Sequence, residues 1–165
     1  MTAQLKVVRP GLFDTLQDQG RRGFMALGMP TAGAMDRIAL ALANALCGNP
    51  PGTAGLEVGV MGPDLLVEAD SVRIALVGPL SASLVDGPDA APKPLDSDRT
   101  HLLKRGQLLR VGMVEGSSTA YLAVAGGFAL PPFMGSLSTY ARAGVGGFEG
   151  RKLAAGDALP LARDA

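Results

Sequence analysis

The stretch LEVGVMGPDLLVEADSVRIALVGP, residues 56–79, decides the fold class of this 165-residue chain. It divides into three short apolar runs, residues 56–63, 64–70 and 72–79, with Gly, Pro, Asp and Ser between them. Short apolar runs bounded by such turn residues are typical of β-strands, because helices need longer runs with a different period. The stretch therefore predicts three consecutive strands.

Further short strands are predicted on both sides of this stretch. They cover residues 5–11, 82–87, 108–116, 120–127 and 157–162. The runs at 108–116 and 120–127 are separated by glycine and serine residues, so we expect them to form a β-hairpin.

Two segments without a regular period are predicted to be loops. Residues 12–33 read as an unusually long irregular loop, and loops of that length tend to be functional or mobile. Residues 88–98 read as a proline-rich surface connection. One helix among about eight strands predicts a mainly β protein, a closed or nearly closed β-barrel.

The one clear helix is predicted at about residues 34–47. Its apolar residues fall on one face at three- and four-residue steps: Met35, Ile38, Leu42, Ala45 and Leu46. Asp36 complements the positive end of the helix dipole, and Gly48 supplies a C-terminal stop. Cys47, the only cysteine, lies within this pattern and is predicted to be a small buried hydrophobic residue.

Composition excludes several classes of function. The formal net charge is zero, so there is no basic surplus to bind nucleic acid. Residues 116–141 carry no charge, yet glycine and proline pairs interrupt them, which argues against a membrane span. No signal peptide is evident and a single cysteine fits a reducing compartment, so we expect a cytoplasmic protein.

Metal and serine-hydrolase chemistry find little support. His101 is the only histidine, and with one cysteine it does not make a zinc site, so no metal site is predicted. No Gly-x-Ser-x-Gly motif is present to supply the nucleophile of a serine hydrolase.

The glycine-rich stretch GSLSTYARAGVGGFEGRKLAAGD, residues 135–157, is the strongest candidate for a functional segment. Its spacing fits neither a P-loop nor a dinucleotide fingerprint. Its glycines could present backbone N–H groups to an anion, flanked by Arg142 and Arg151, or they could merely let the chain turn.

Other polar residues lie in apolar surroundings and leave two interpretations open. Asp18, which follows Gln17 in the early loop, could pair with Arg21 or Arg22 and hold the loop, or take part in catalysis. Asn44 on the helix could pin a neighbouring loop or bind a ligand. The carboxylate of Glu57 could point outward or be paired inside.

Several phrases in this order resemble the biotin-dependent carboxyltransferase family, also called the allophanate hydrolase subunit 2 family. They are PGLFDTLQDQGRRGF, GMPTAGAMDRIALALANALCGNP, GLEVGVMGP, YLAVAGGF, GSLSTY and GGFEGRKLAAGDAL. The resemblance implies a cyclophilin-like β-barrel. It also implies that residues 1–165 are a single domain similar to the N-terminal half of a family member.

The resemblance implies one component, the C subunit, of an ATP-dependent 5-oxoprolinase, which opens 5-oxoproline to glutamate together with a partner like the B subunit of that complex. ATP would be the cosubstrate, and the chain would be inactive without its partners. Carboxyl transfer to urea or allophanate-type substrates is an alternative, with biotin carried by a partner. A non-catalytic binding or regulatory role is a third interpretation, and a homo-oligomer remains open.

The same resemblance implies a set of site residues. Asp18, Glu57 and Arg151 are the predicted catalytic residues. The predicted substrate-binding residues are Gln17, Arg21, Asp36, Asn44, Ser136, Ser138, Thr139, Tyr140 and Glu149. We hypothesise that Arg151 orients a carboxylate, carboxyphosphate or phosphate group with the hydroxyls of Ser136 and Thr139, so that replacing it with alanine lowers turnover at least about tenfold.

The sequence departs from the family pattern at three places. Leu137 stands where the family usually has arginine, residues 24–26 contain no histidine, and residues 78–80 read Gly-Pro-Leu instead of Gly-Ala-Asp. Family members also run to about twice this length.

Overall fold

The computed structural model describes residues 2–163 and contains eleven strands and one α-helix in that range. The strands are β1 (Gln4–Arg9), β2 (Phe13–Gln17), β3 (Gly55–Gly59), β4 (Asp64–Glu68), β5 (Ser71–Val77), β6 (Leu80–Val85), β7 (Lys93–Leu95), β8 (Arg99–Lys104), β9 (Leu108–Val114), β10 (Thr119–Val124) and β11 (Ala158–Pro160). The helix is α1 (Arg37–Cys47), and a 3-10 turn covers Met25–Leu27. The predicted class, mainly β with one principal helix, is confirmed.

The strands form two antiparallel sheets around a shared core. The first sheet has the order β11-β1-β4-β9-β6-β7, and the second has the order β2-β3-β10-β5-β8. Buried side chains of both sheets join one cluster, with Leu5, Leu65 and Leu109 from the first and Leu56 and Ile74 from the second. Alternating inward side chains from facing strands thus bury a common apolar interior.

Helix α1 covers the other face of the second sheet. Its N-cap is Asp36, whose carboxylate accepts hydrogen bonds from the backbone N–H groups of Ile38 and Ala39. The chain leaves the helix at Gly48, which adopts a left-handed conformation. The helix contacts β5 and β10, so the second sheet is buried on both faces there.

The buried face of α1 differs from the apolar face seen in the sequence. The buried residues are Leu40, Ala43, Asn44 and Cys47, whereas Ile38 is 83% exposed. Small residues explain why this face of α1 is the buried one. Alanines on the helix and on β5 and β10 let the backbones approach closely, as in the cluster of Ala43, Ala75 and Ala123. The buried position predicted for Cys47 is confirmed.

The predicted hairpin between residues 108–116 and 120–127 is wrong. Strand β9 pairs with β4 and β6 in the first sheet, while β10 pairs with β3 and β5 in the second. Each is an interior strand with two other partners, so the connection around Gly116 crosses between sheets instead of closing a turn.

Both predicted loops contain regular structure. Residues 12–33 include β2 and the 3-10 turn, and residues 88–98 include β7. The charged stretch around His101 forms β8, which pairs with β5. β2, β7 and β8 are edge strands, and their pairing with neighbouring strands makes them regular although their composition did not predict strands. No helix in the described residues is long and apolar enough to cross a membrane.

Candidate functional site

Asp18 lies at the centre of a polar cluster that joins the early and late parts of the chain. Its Oδ1 accepts hydrogen bonds from the hydroxyls of Ser136 (2.7 Å) and Ser138 (2.6 Å) and from the N–H of Gly20 (2.8 Å). Its Oδ2 accepts from the N–H of Leu137 at 2.7 Å. The residues after Gly135 therefore form a binding site for an anion, and the carboxylate of Asp18 fills it.

The neighbouring residues tie the same two segments together. Thr139 donates from its backbone N–H and its hydroxyl to the carbonyl of Leu16, at 2.9 and 3.0 Å. The side-chain nitrogen of Gln17 donates to the carbonyl of Thr139 at 3.3 Å, while its Oε1 is buried without a partner. We call the six residues of this assembly the Asp18 cluster: Gln17, Asp18, Arg21, Ser136, Ser138 and Thr139.

The glycines that follow are needed because their backbone lies directly against the Asp18 cluster. Gly146 has a φ of 74°, and a Cβ there would overlap the carbonyl oxygen of Ser138. A Cβ on Gly147 would likewise overlap the hydroxyl of Thr139. Only glycine permits so close an approach in this conformation.

Several N–H groups of the glycine-rich run are used within the run itself. The N–H groups of Gly144, Gly147 and Gly150 donate to the carbonyls of Ala141, Leu137 and Gly146. These bonds account for tight turns within the run, and anion binding by its other amides stays a prediction.

A cavity of about 480 Å³ lies beside the Asp18 cluster. It is lined by Pro131, Pro132, Phe133, Gly144, Val145, Gly146, Gly147, Glu149 and Gly150. Two of these, Phe133 and Gly146, also border the guanidinium of Arg21. Arg21 is 1% exposed and donates from Nη2 to the carbonyl of Ser138 at 2.7 Å and from Nε to the carbonyl of Phe133 at 3.3 Å. The cavity thus adjoins a buried positive charge.

Arg151 is not joined to the hydroxyls with which we expected it to act. It forms two hydrogen bonds with Asp157, at 2.8 and 2.9 Å, and an ion pair with Glu149. The hydrogen bond to Asp157 raises the pKa of Arg151 above its ordinary value. The hydroxyls of Ser136 and Thr139 donate to Asp18 and to the carbonyl of Leu16, so the role predicted for the three residues together stays a prediction.

Glu57 and Asp36 form a second polar group at the start of α1. Oε2 of Glu57 accepts from the hydroxyl of Tyr121 and from the backbone N–H of Met35, both at 2.7 Å. The hydroxyl of Tyr121 in turn accepts from the N–H of Asp36 at 2.7 Å. Burial is the main cause that raises the pKa of Tyr121, and the hydrogen bond to Glu57 adds to it. These contacts fix the conformation of the chain where it enters α1. The catalytic role predicted for Glu57 and the substrate-binding role predicted for Asp36 stay predictions.

Two further candidates lie apart from the Asp18 cluster. Asn44 is fully buried and donates to the carbonyl of Thr53 at 2.7 Å, while its Oδ1 accepts from Asn49, so the amide holds the loop after α1. Tyr140 is half-buried and lines a separate cavity of about 260 Å³ with Met25 and Met29. Their substrate-binding roles stay predictions.

Sequence reasoning missed Phe133 and Asp157, which contact Arg21 and Arg151. Asp157 was predicted only to start a strand, and no residue type near it pointed to Arg151. Among residues 2–163, no group of three or more His, Cys, Asp and Glu side chains is arranged to hold a metal ion.

Comparison with known proteins links this arrangement to one group. The model of a family described as "Carboxyltransferase domain, subdomain A and B" matches residues 27–165. The chain is 39% identical to the C subunit of 5-oxoprolinase from Escherichia coli over 96% of its length and 35% identical to urea amidolyase of Saccharomyces cerevisiae over 95%. It spans 49% of the first relative and 8% of the second.

A solved structure shares the fold. The crystal structure of the K. lactis urea amidolyase superposes with a TM-score of 0.90 at 35% identity, covering 98% of this chain and 10% of that one.

Proposed function

Because the chain belongs to the carboxyltransferase family of subdomains A and B, we propose that it is part of an ATP-dependent complex that opens 5-oxoproline to glutamate. The observation that carries the proposal is the 39% identity to the C subunit of the Escherichia coli 5-oxoprolinase. That match covers 96% of the chain and therefore extends over nearly all of both segments that build the Asp18 cluster. We further propose that residues 1–165 form one domain, equivalent to the N-terminal half of such a protein.

The chain's own residues support a role in binding and positioning. The hydroxyls of Ser136, Ser138 and Thr139 are buried and hold the two segments together, so we assign none of them as a nucleophile. The Asp18 cluster instead provides a rigid floor beside a cavity, and rigid positioning of a substrate lowers the entropic part of a reaction barrier. We propose that the chain holds the cyclic amide while its partners contribute the remaining machinery.

ATP enters this proposal as a cosubstrate of the whole complex. The glycine-rich run does not fit a phosphate cradle, because it lacks P-loop spacing and the N–H groups of Gly144, Gly147 and Gly150 are used within the run. We therefore assign no phosphate contact to it and derive no step of the reaction through ATP.

Co-expression with proteins like the A and B subunits of 5-oxoprolinase tests the proposal. We expect a stable complex that releases ADP and glutamate in the presence of 5-oxoproline, and neither product when the 165-residue chain is omitted. A stable complex without 5-oxoproline-dependent ADP release would contradict the enzymatic proposal and favour a non-catalytic binding or regulatory role.

Carboxyl transfer from carboxybiotin to urea is the second candidate function. The superposition with the K. lactis urea amidolyase at a TM-score of 0.90 favours it. Biotin would then arrive on a partner. Urea-dependent consumption of carboxybiotin by the same complex, without any response to 5-oxoproline, would support this alternative.

A further inference from the structure

A further cavity, of about 620 Å³, lies on the first sheet and shares no lining residue with the cavity beside the Asp18 cluster. Its polar lining comes from four adjacent strands: Arg9 of β1, Asp64 of β4, Arg110 of β9, and Ser81 and Ser83 of β6. All of these except Ser81 stand directly opposite one another in the strand pairing. Directly opposed residues project from the same face of a sheet, so these side chains form one row across it.

Two β-bulges aim side chains at this cavity. Between β1 and β4, Val8 is the extra residue that brings Arg9 opposite Asp64. Between β6 and β9 the register shifts at Ser81, where β9 carries one residue more than β6. A Cβ on Gly112 would overlap the hydroxyl oxygen of Ser81, so the glycine leaves room for that hydroxyl. Bulges often re-aim a side chain beside a functional site, and here two of them border the same cavity.

Arg110 carries the uncompensated charge of the row. Arg9 donates to both carboxylate oxygens of Asp64, at 2.8 and 3.2 Å, so these two opposite charges are paired. Among the described residues, no ion pair includes Arg110 and no hydrogen bond involves its guanidinium. Two arginines and one aspartate leave the row with one net positive charge, and its free N–H donors belong to Arg110.

The two serines add hydroxyl donors beside this charge. Ser83 is the cross-strand neighbour of Arg110, and its hydroxyl forms no hydrogen bond within residues 2–163. Oγ of Ser81 accepts from the backbone N–H of Met113 at 3.2 Å, which leaves the hydroxyl proton free to donate. One guanidinium and two hydroxyls therefore offer donors to the same cavity, while the carboxylate that could compete for them is held by Arg9.

We propose that this cavity binds a phosphate group, either as free phosphate or as part of a small phosphate ester. A phosphate ester carries a charge of about −1.5 to −2 near pH 7 and three acceptor oxygens, which suits one guanidinium and two hydroxyls. A guanidinium binds phosphate through parallel N–H donors. Pro92 and Pro94 supply an apolar wall against which the rest of an ester would pack. A volume of about 620 Å³ is typical of small-molecule sites.

Calorimetric titration of the 165-residue chain tests the proposal without any partner protein. The ligands are inorganic phosphate, AMP as a phosphate ester, and acetate as a carboxylate, all in about 0.15 M salt, which screens exposed charges beyond about 8 Å. We expect saturable binding of phosphate or AMP, and an affinity for acetate at least about tenfold lower. Tighter binding of AMP than of phosphate would identify an ester as the occupant, and equal or weaker binding would identify free phosphate.

Matched variants assign the binding to this cavity. Arg110→Gln should lower the affinity at least about tenfold, because it removes the only free cation of the row. Arg73→Gln is the control: it removes the same charge from an exposed position on β5, an interior strand of the second sheet, and should leave the affinity unchanged. Both positions are exposed, so neither variant is expected to disturb folding.

Amide shift mapping by NMR provides a second measurement. Phosphate or AMP should shift the amide signals of Ser83 and Arg110 and leave those of Gly146 and Gly147 in place. Shifts confined to the glycine-rich run, equal losses of affinity in the two arginine variants, acetate bound as tightly as phosphate, or no saturable binding of either phosphate compound would overturn the proposal. It does not depend on the proposed function, since none of its residues belongs to the Asp18 cluster.

Discussion

The carboxylate of Asp18 stabilises the candidate site by accepting four hydrogen bonds, three of them from residues about 120 positions away in sequence. Hydrogen bonds to a charged group are stronger than neutral ones, and removing one member of a buried charged network costs about 3–5 kcal/mol. We expect Asp18→Asn to lower the free energy of unfolding by at least about 2 kcal/mol in urea denaturation. Asp86→Asn, at an exposed position, is the control; equal, small changes in both variants would show that the network contributes little.

Asp14 couples stability to pH. It is 1% exposed, its Oδ1 has no partner, and burial is the main cause that raises its pKa to about 7, against the opposing hydrogen bond from Gly11. The folded state therefore holds the proton more tightly than the unfolded chain, in which the pKa is about 3.9. Stability from this residue is fully present below about pH 4 and is lost as the pH rises towards and through 7, at up to about 1.4 kcal/mol per pH unit.

Replacing Asp14 with asparagine removes this dependence. We expect the free energy of unfolding of wild type minus that of Asp14→Asn to fall between about pH 5 and pH 8 in urea denaturation. A difference that stays flat over this range would mean that the carboxyl group titrates at its ordinary pKa in the folded protein.

At the scale of single residues, the sequence predicted which residues lie close together. It predicted their hydrogen-bond and ion-pair partners less well. The resemblance grouped Gln17, Asp18 and Arg21 with Ser138 and Thr139, and hydrogen bonds join the two sets in the structure. We also expected Arg151 to act with the hydroxyls of Ser136 and Thr139, whereas it pairs with Asp157. Motifs identify the residues of a site but do not determine which donor bonds to which acceptor, because that depends on side-chain directions set by the whole fold.

The glycine-rich segment shows how an element can depend on the absence of side chains. Gly146 and Gly144 both have positive φ, at 74° and 65°, but a Cβ on Gly146 would meet Ser138 and Arg21, whereas one on Gly144 meets nothing within 4 Å. We expect Gly146→Ala to lower the free energy of unfolding by about 2 kcal/mol or more beyond Gly144→Ala, since only the first adds overlap to backbone strain. Urea denaturation of the two variants measures the difference, and equal losses would mean that the segment moves aside at little cost.

Eight of the eleven strands in the described residues were predicted because their signal is local, whereas β2, β7 and β8 were missed. The runs at residues 64–70 and 72–79 lie within two residues of the ends of β4 and β5. The hairpin predicted for β9 and β10 was wrong, since adjacency in sequence favours a hairpin but each strand pairs with other strands. The buried face of α1 was also missed, because close packing of alanines outweighed the burial of larger side chains such as Ile38.

On the scale of the whole molecule, the shared core makes the two sheets interdependent. Its cluster of buried apolar residues takes side chains from every strand of the described chain except β7. Separating the sheets would expose this interior all at once, and partial opening would not retain the apolar contacts of either sheet. A single cooperative unfolding unit follows from this arrangement.

Native-state hydrogen exchange tests that cooperativity. We expect the most protected amides of β4 and β5, such as those of Leu65 and Ile74, to exchange with opening free energies that agree within about 1 kcal/mol, because both need global unfolding. The exposed 3-10 turn around Met25, which contributes no buried residue, should exchange through much smaller openings. Opening free energies that differ by more than about 2 kcal/mol between β4 and β5 would mean that one sheet opens while the other persists. The candidate site, whose floor includes β2 of the second sheet, would then not depend on the first sheet for its stability.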